Sequence, residues 1–160
     1  MQTDNLIPLI HIITSIVALI SGAVVLLAAK GTEFHKRAGY VFAVVLLLVN
    51  ITAAGMYNLT GTINFLHMFV LISLFSLFFG IWPALRRKSK NWLSRHVQGM
   101  TGAALGVWAA GFAELTVLVL QGLLGPKQII GVAIGVGVVF FFLIGFLIGR
   151  FLNNLDSYSS

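Results

Sequence analysis

The 160-residue chain contains no cysteine. That excludes disulfides, thiolate metal sites and cysteine nucleophiles, and says nothing about the redox compartment. Charge is almost as scarce: 9% of residues are Asp, Glu, Lys or Arg, 59% are hydrophobic, and mean hydropathy is +1.02. Such a balance leaves too little polar surface to coat a water-soluble globule of this size. No nucleotide-binding loop and no nucleophile–base constellation is visible, and no connecting piece is long enough for an extramembrane domain.

What the chain has is long apolar runs. Spanning about 30 Å of hydrocarbon takes about 20 helical residues at 1.5 Å each. Five runs meet that length: Leu6–Ala29, Ala38–Asn58, Ile63–Leu85, Val97–Leu124 and Ile129–Gly149. The sequence therefore predicts an all-α, polytopic membrane helical bundle with five transmembrane helices. It forms one domain over 1–160, with a four-helix core over 6–124 and an accessory fifth helix over 129–152. The first run is longer than the h-region of a secretory signal, lacks a basic n-region and follows Asp4, so it is expected to be a retained span. Turns are expected at Gly31-Thr32, Thr60-Gly61-Thr62 and Gly125-Pro126, and Pro83 should help to end the third helix.

The formal net charge of +6 is topological. Lys30, Lys36 and Arg37 lie in the first loop, Arg86, Arg87, Lys88, Lys90 and Arg95 in the third, and Arg150 at the end of the fifth run, whereas Lys127 stands alone on the other side. The positive-inside rule then puts the N-terminus out and the C-terminus in, in a bacterial inner membrane or plasma membrane. The partner implied is the lipid bilayer and its anionic headgroups, not nucleic acid.

Ionisable groups inside hydrocarbon cost a few kcal/mol and mark candidate sites. His11, His35, His67 and His96 fall on four successive helices, and Glu114 is the one carboxylate well inside a run. At about 100° per residue, His96 and Glu114 share a face of helix four with Gly102, Gly106 and Ala110 on or near it. His11 shares one with Ser15, Ala18, Gly22 and Ala29, and His35 with Gly39, Ala53 and Tyr57, Asn50 lying near. On helix three the face of His67 runs through Leu71, Leu74 and Phe78, with Asn64 as its polar neighbour. By depth His11 and His67 pair near the outer side, with Glu114, and His35 and His96 pair near the inner side. Gly131 to Gly135 and Gly145 to Gly149 are spacings that allow close helix approach, including a homo-oligomeric contact.

Three readings stay open. In one, each histidine pair supplies the axial imidazoles of a b-type haem, Lys36, Arg37 and Arg95 neutralise propionates, and electrons pass to or from a quinol or another membrane redox protein. In the second, His11, His67 and Glu114 hold a divalent metal such as zinc, for hydrolysis or transport. In the third, the chain is a scaffold without cofactor.

Phe34-His35-Lys36-Arg37-Ala38-Gly39-Tyr40-Val41, with His11 upstream and Ser94-Arg95-His96 downstream, resembles a family of bacterial predicted membrane proteins of unknown function. The resemblance covers about residues 8–118 and implies a multi-span bundle with a histidine in the first span and histidines opening later ones. The chain departs from the family pattern in carrying Glu114 where arginine is usual. More distantly, histidine pairs on alternating helices are similar in layout to the di-haem cytochrome b ascorbate and ferric reductases.

Overall fold

The computed structural model describes residues 6–56 and 66–157. They form five helices: α1 (Leu6–Leu27), α2 (Glu33–Ala54), α3 (Leu66–Arg86), α4 (Trp92–Leu120) and α5 (Pro126–Ser157). Each is long and apolar enough to cross a membrane.

Several helix ends depart from the apolar stretches, and at α2 capping explains where. α2 begins at Glu33 rather than Ala38 because the Thr32 side chain accepts from the His35 backbone N–H at 3.1 Å, while Glu33 sits favourably in the first turn. Its entry is the turn at Gly31, whose φ of +81° suits glycine. α4 begins at Trp92, five residues before the apolar run, and ends at Leu120, four residues short of its end. α5 starts on Pro126, which has no N–H to leave unpaired at a first helical position, and continues beyond Gly149 to Ser157. The expected turn at Thr60-Gly61-Thr62, Asn58, Tyr57, Ile63 and Asn64 lie outside the described residues.

Packing joins α1 to α2, α2 to α3, α3 to α4 and α4 back to α1, a closed ring of four, and α5 docks on α4 from outside. The core is built of small residues: Ala18, Ala103, Ala104 and Ala113 are fully buried, with Phe42 and Leu46 the large side chains completely enclosed. Large apolar groups point the other way, Ile12, Ile16 and Ile20 on α1, Leu71 and Phe75 on α3, Phe141 and Phe142 on α5. In water this inside-out distribution would be untenable; in a bilayer, tight backbone approach inside and branched or aromatic groups against lipid are what association requires. The protein is a multi-pass membrane protein.

The closest approach is between α3 and α4. A Cβ placed on Gly99 would collide with the backbone N and Cα of Gly80, and one on Gly80 would stand 2.6 Å from the Met100 nitrogen. The expected contact stripe on α4 is therefore displaced: Gly102 faces Ser76 loosely, and Gly106 has nothing within 4 Å of a would-be Cβ. On α3 the stripe through Leu71 and Phe78 faces outward, both residues being more than half exposed. Leu77 and Gly80 are buried instead, next to the partly buried Ser73 and Ser76. Leu71 and Phe78 are large enough to be better placed against lipid, and small Ser73, Ser76 and Gly80 against backbone. Two residues before Thr52, near the end of α2, Asn50 donates to Ser73 Oγ of α3 at 3.0 Å and to its own Leu46 carbonyl at 2.8 Å.

All but one of the basic residues fall at one end of the bundle, where α1, α3 and α5 end and α2 and α4 begin. Lys30 stands 5.8 Å over the Phe151 ring, which places the last turns of α5 beside the α1–α2 connection. At the same end Arg86 lies 4.2 Å over Trp82, and Arg87 lies 5.0 Å over Trp92. Such aromatic–cation pairs suit the headgroup level.

Candidate functional site

The ionisable residues separate into two groups at opposite ends of the ring. At the end away from the basic residues, a cavity of about 570 Å³ opens among α1, α3 and α4, with Ala53 and Met56 closing its α2 side. That volume is in the range of small-molecule sites. His11, Ser15, His67, Glu114 and Gln121 supply its polar lining, and Trp108 and Phe112 an aromatic wall.

His11 is the best defined of these. It is 4% exposed, and its Nδ1 lies 2.9 Å from Thr52 Oγ1 on α2. The Thr52 hydroxyl proton is already committed to its own helix, with Leu48 O at 2.9 Å and Val49 O at 3.0 Å. A hydroxyl has one proton to give, so Thr52 Oγ1 accepts and His11 Nδ1–H donates. This assigns the tautomer and leaves Nε2, in the neutral ring, as a lone pair. That nitrogen is 3.5 Å from Ser15 Oγ and 3.8 Å from Glu114 Oε1. The Glu114 side chain is 46% exposed, so it meets both the cavity and its surroundings. His67 lines the same cavity from α3. His11, His67 and Glu114 thus share one cavity, yet among the described residues no three His, Asp or Glu side chains come close enough together to hold a metal ion.

At the basic end, the rings of His35 on α2 and His96 on α4 face each other across the ring of helices, 6.4 Å between centroids and nearly perpendicular at 86°. The Gly80–Gly99 contact sets this up. It draws α4 so close to α3 that His96 Nδ1–H donates to the Gly80 carbonyl at 3.0 Å, again leaving Nε2 as the available nitrogen. His35 Nδ1 is buried with no hydrogen-bond partner among the described residues. Beside His35, Gly39 has nothing within 4 Å of a would-be Cβ, so space is open one turn along α2. Lys30 Nζ donates to the terminal carbonyls of α1, Val25 O at 2.8 Å and Leu26 O at 2.6 Å, and burial pulls its pKa below the ordinary lysine value.

A model of a family described as predicted membrane proteins, DUF2306, matches residues 8–152. The chain belongs to that family. The match extends past the four-helix ring and takes in α5, beyond the stretch on which the resemblance rested. It carries no assigned function and provides no link to the cytochrome b reductases. No curated protein and no solved structure matches the chain.

The ring topology puts α2 and α4 across from each other, as it does α1 and α3, with His35 and His96 at one end and His11 and His67 lining the cavity at the other. Reading the sequence missed Thr52, Gly80 and Gly99, which orient the histidines. Thr52 carried a signal, a hydroxyl inside a span two residues after Asn50. Gly80 and Gly99 carried none by themselves, because each resembles the other glycines until the α3–α4 register is known.

Proposed function

We propose that this family member is a transmembrane electron carrier whose histidine pairs hold b-type haem, His35 with His96 at the basic end and His11 with His67 at the other. The observation that carries this reading is the His35–His96 geometry. The two rings stand 6.4 Å apart between centroids at the basic end, and His35 and His96 would hold the haem iron between them. Gly80 fixes His96, and Thr52 fixes His11, by a hydrogen bond at Nδ1 that would hold each imidazole in orientation for a metal at Nε2. Lys36, Arg37 and Arg95 are at the basic end, where they would meet propionates, and a second haem would enter the 570 Å³ cavity that His11 and His67 line. Bound haem would supply one-electron exchange, with a quinol or another membrane redox protein as partner. The residues of the chain orient the imidazoles, exclude water and balance charge. The basic end is taken as cytoplasmic, leaving the N-terminus outside.

The 3.8 Å approach of His11 Nε2 to Glu114 Oε1 supports a second reading, a divalent ion held by His11, Glu114 and His67 after local closure. The test is a dithionite-reduced minus oxidised spectrum of the detergent-purified protein, followed by elemental analysis of the same sample. A bis-histidine haem signal that is halved in His96→Ala, and abolished when His11→Ala is added, is the expected result. A colourless protein with stoichiometric zinc moves the assignment to the metal ion, and one with neither leaves a scaffold. A C-terminal reporter that reads on the outside would overturn the orientation.

A further inference from the structure

α5 carries a feature that the histidine centres do not use. Its contact with α4 runs through Ile129 and Ala133, both buried, and Phe140, whose ring is 5.7 Å from that of Phe112. Gly149 is nine residues beyond Phe140, about 180° around the helix, and Gly145 about 140°, so both face away from the bundle. Neither has anything within 4 Å of a would-be Cβ. Beside them the outer face of α5 carries an open, shallow groove lined by Gly145, Phe146, Gly149, Arg150 and Asn153. It is apolar along Gly145, Phe146 and Gly149, and ends on a guanidinium and a carboxamide.

We propose that this groove is a binding site for one anionic phospholipid, its phosphate on Arg150 and Asn153 and an acyl chain along Gly145–Gly149. Depth supports the assignment. α5 has 32 residues, about 48 Å of helix against about 30 Å of hydrocarbon, so its last turns stand at headgroup level. The contact of Lys30 with Phe151 puts Arg150 among the other basic residues, and among the described residues no carboxylate pairs with it. A phosphate bearing net negative charge is therefore favoured over a zwitterionic headgroup. A second copy of the chain fits less well, since a parallel two-fold contact over Gly145 and Gly149 would bring two Arg150 side chains together with no counter-ion.

The experiment is native mass spectrometry of the full-length protein, delipidated in detergent and exposed to equal amounts of phosphatidylglycerol and phosphatidylcholine. One phosphatidylglycerol should be retained per chain in preference to phosphatidylcholine. Arg150→Gln should weaken that retention about fivefold, the effect of one interfacial cation. Gly149→Leu, which fills the groove on a lipid-facing side and leaves the charge alone, should weaken it comparably. Lys88→Gln, a basic residue of the same end outside the groove, should leave it unchanged. Equal retention of the two lipids, an equal loss in Lys88→Gln, or wild-type retention in both groove variants would overturn the site. So would a dimer that Gly149→Leu abolishes. None of these outcomes depends on whether haem is bound.

Discussion

The two ends of the four-helix ring solve the same problem in opposite ways. At the basic end the histidines are placed by contact: Gly80 and Gly99 bring two backbones together, and His96 takes its position from the Gly80 carbonyl. At the other end they are placed around space. His11 is anchored by side chains, Thr52 at 2.9 Å and Ser15 at 3.5 Å, and the helices stand apart enough to leave about 570 Å³ between them. The difference teaches that an Nδ1 hydrogen bond orients His11 and His96 alike, while the room around each is set separately by residue size at the helix crossing.

That contrast can be broken most directly at the crossing. Gly99→Ala should cost about 3 kcal/mol and lower the apparent melting temperature in detergent by about 10 °C, because the obstacle is backbone that cannot rotate away. A melting curve unchanged from wild type would mean that contact does not place His96. Thr52→Val, similar in shape but without the acceptor, should cost about 1 kcal/mol. It should also release the His11 tautomer, seen as mixed Nδ1 and Nε2 protonation by nitrogen NMR of labelled histidine. A single retained tautomer would show that something other than Thr52 orients the ring.

Asn50→Leu removes the hydrogen bond to Ser73, and about 0.6 kcal/mol is the average for interhelical bonds of this kind. Thermal unfolding should register a small loss, and the absorption spectrum of any bound cofactor should not move. The smallest effect is expected at the open end. A Cβ on Gly111 would meet Leu19 at 3.9 Å, ordinary contact distance, so Gly111→Ala should stay within about 0.5 kcal/mol of wild type by the same melt. A loss as large as that of Gly99→Ala would show that the two ends are packed alike and that the comparison is mistaken.

By itself the sequence determined that the protein lives in a bilayer, how many times it is able to cross, and which end gathers the basic residues. Those properties follow from local sums, apolar length against membrane thickness and the location of Lys and Arg, and they need no knowledge of which helices touch. It also put His11 on the small-residue face of α1, since helical period alone decides which side chains share a side. On α3 the face of His67 showed no small-residue pattern, and Ser73, Ser76 and Gly80, which face the other helices, were not picked out. Tertiary structure alone decided that Gly99, rather than Gly106, is the crossing point, that Thr52 meets His11, and that the glycines of α5 remain open. Each depends on the rotation and register of one helix against another, and a side chain with a helical period of about 3.6 residues carries no record of the neighbour it will meet.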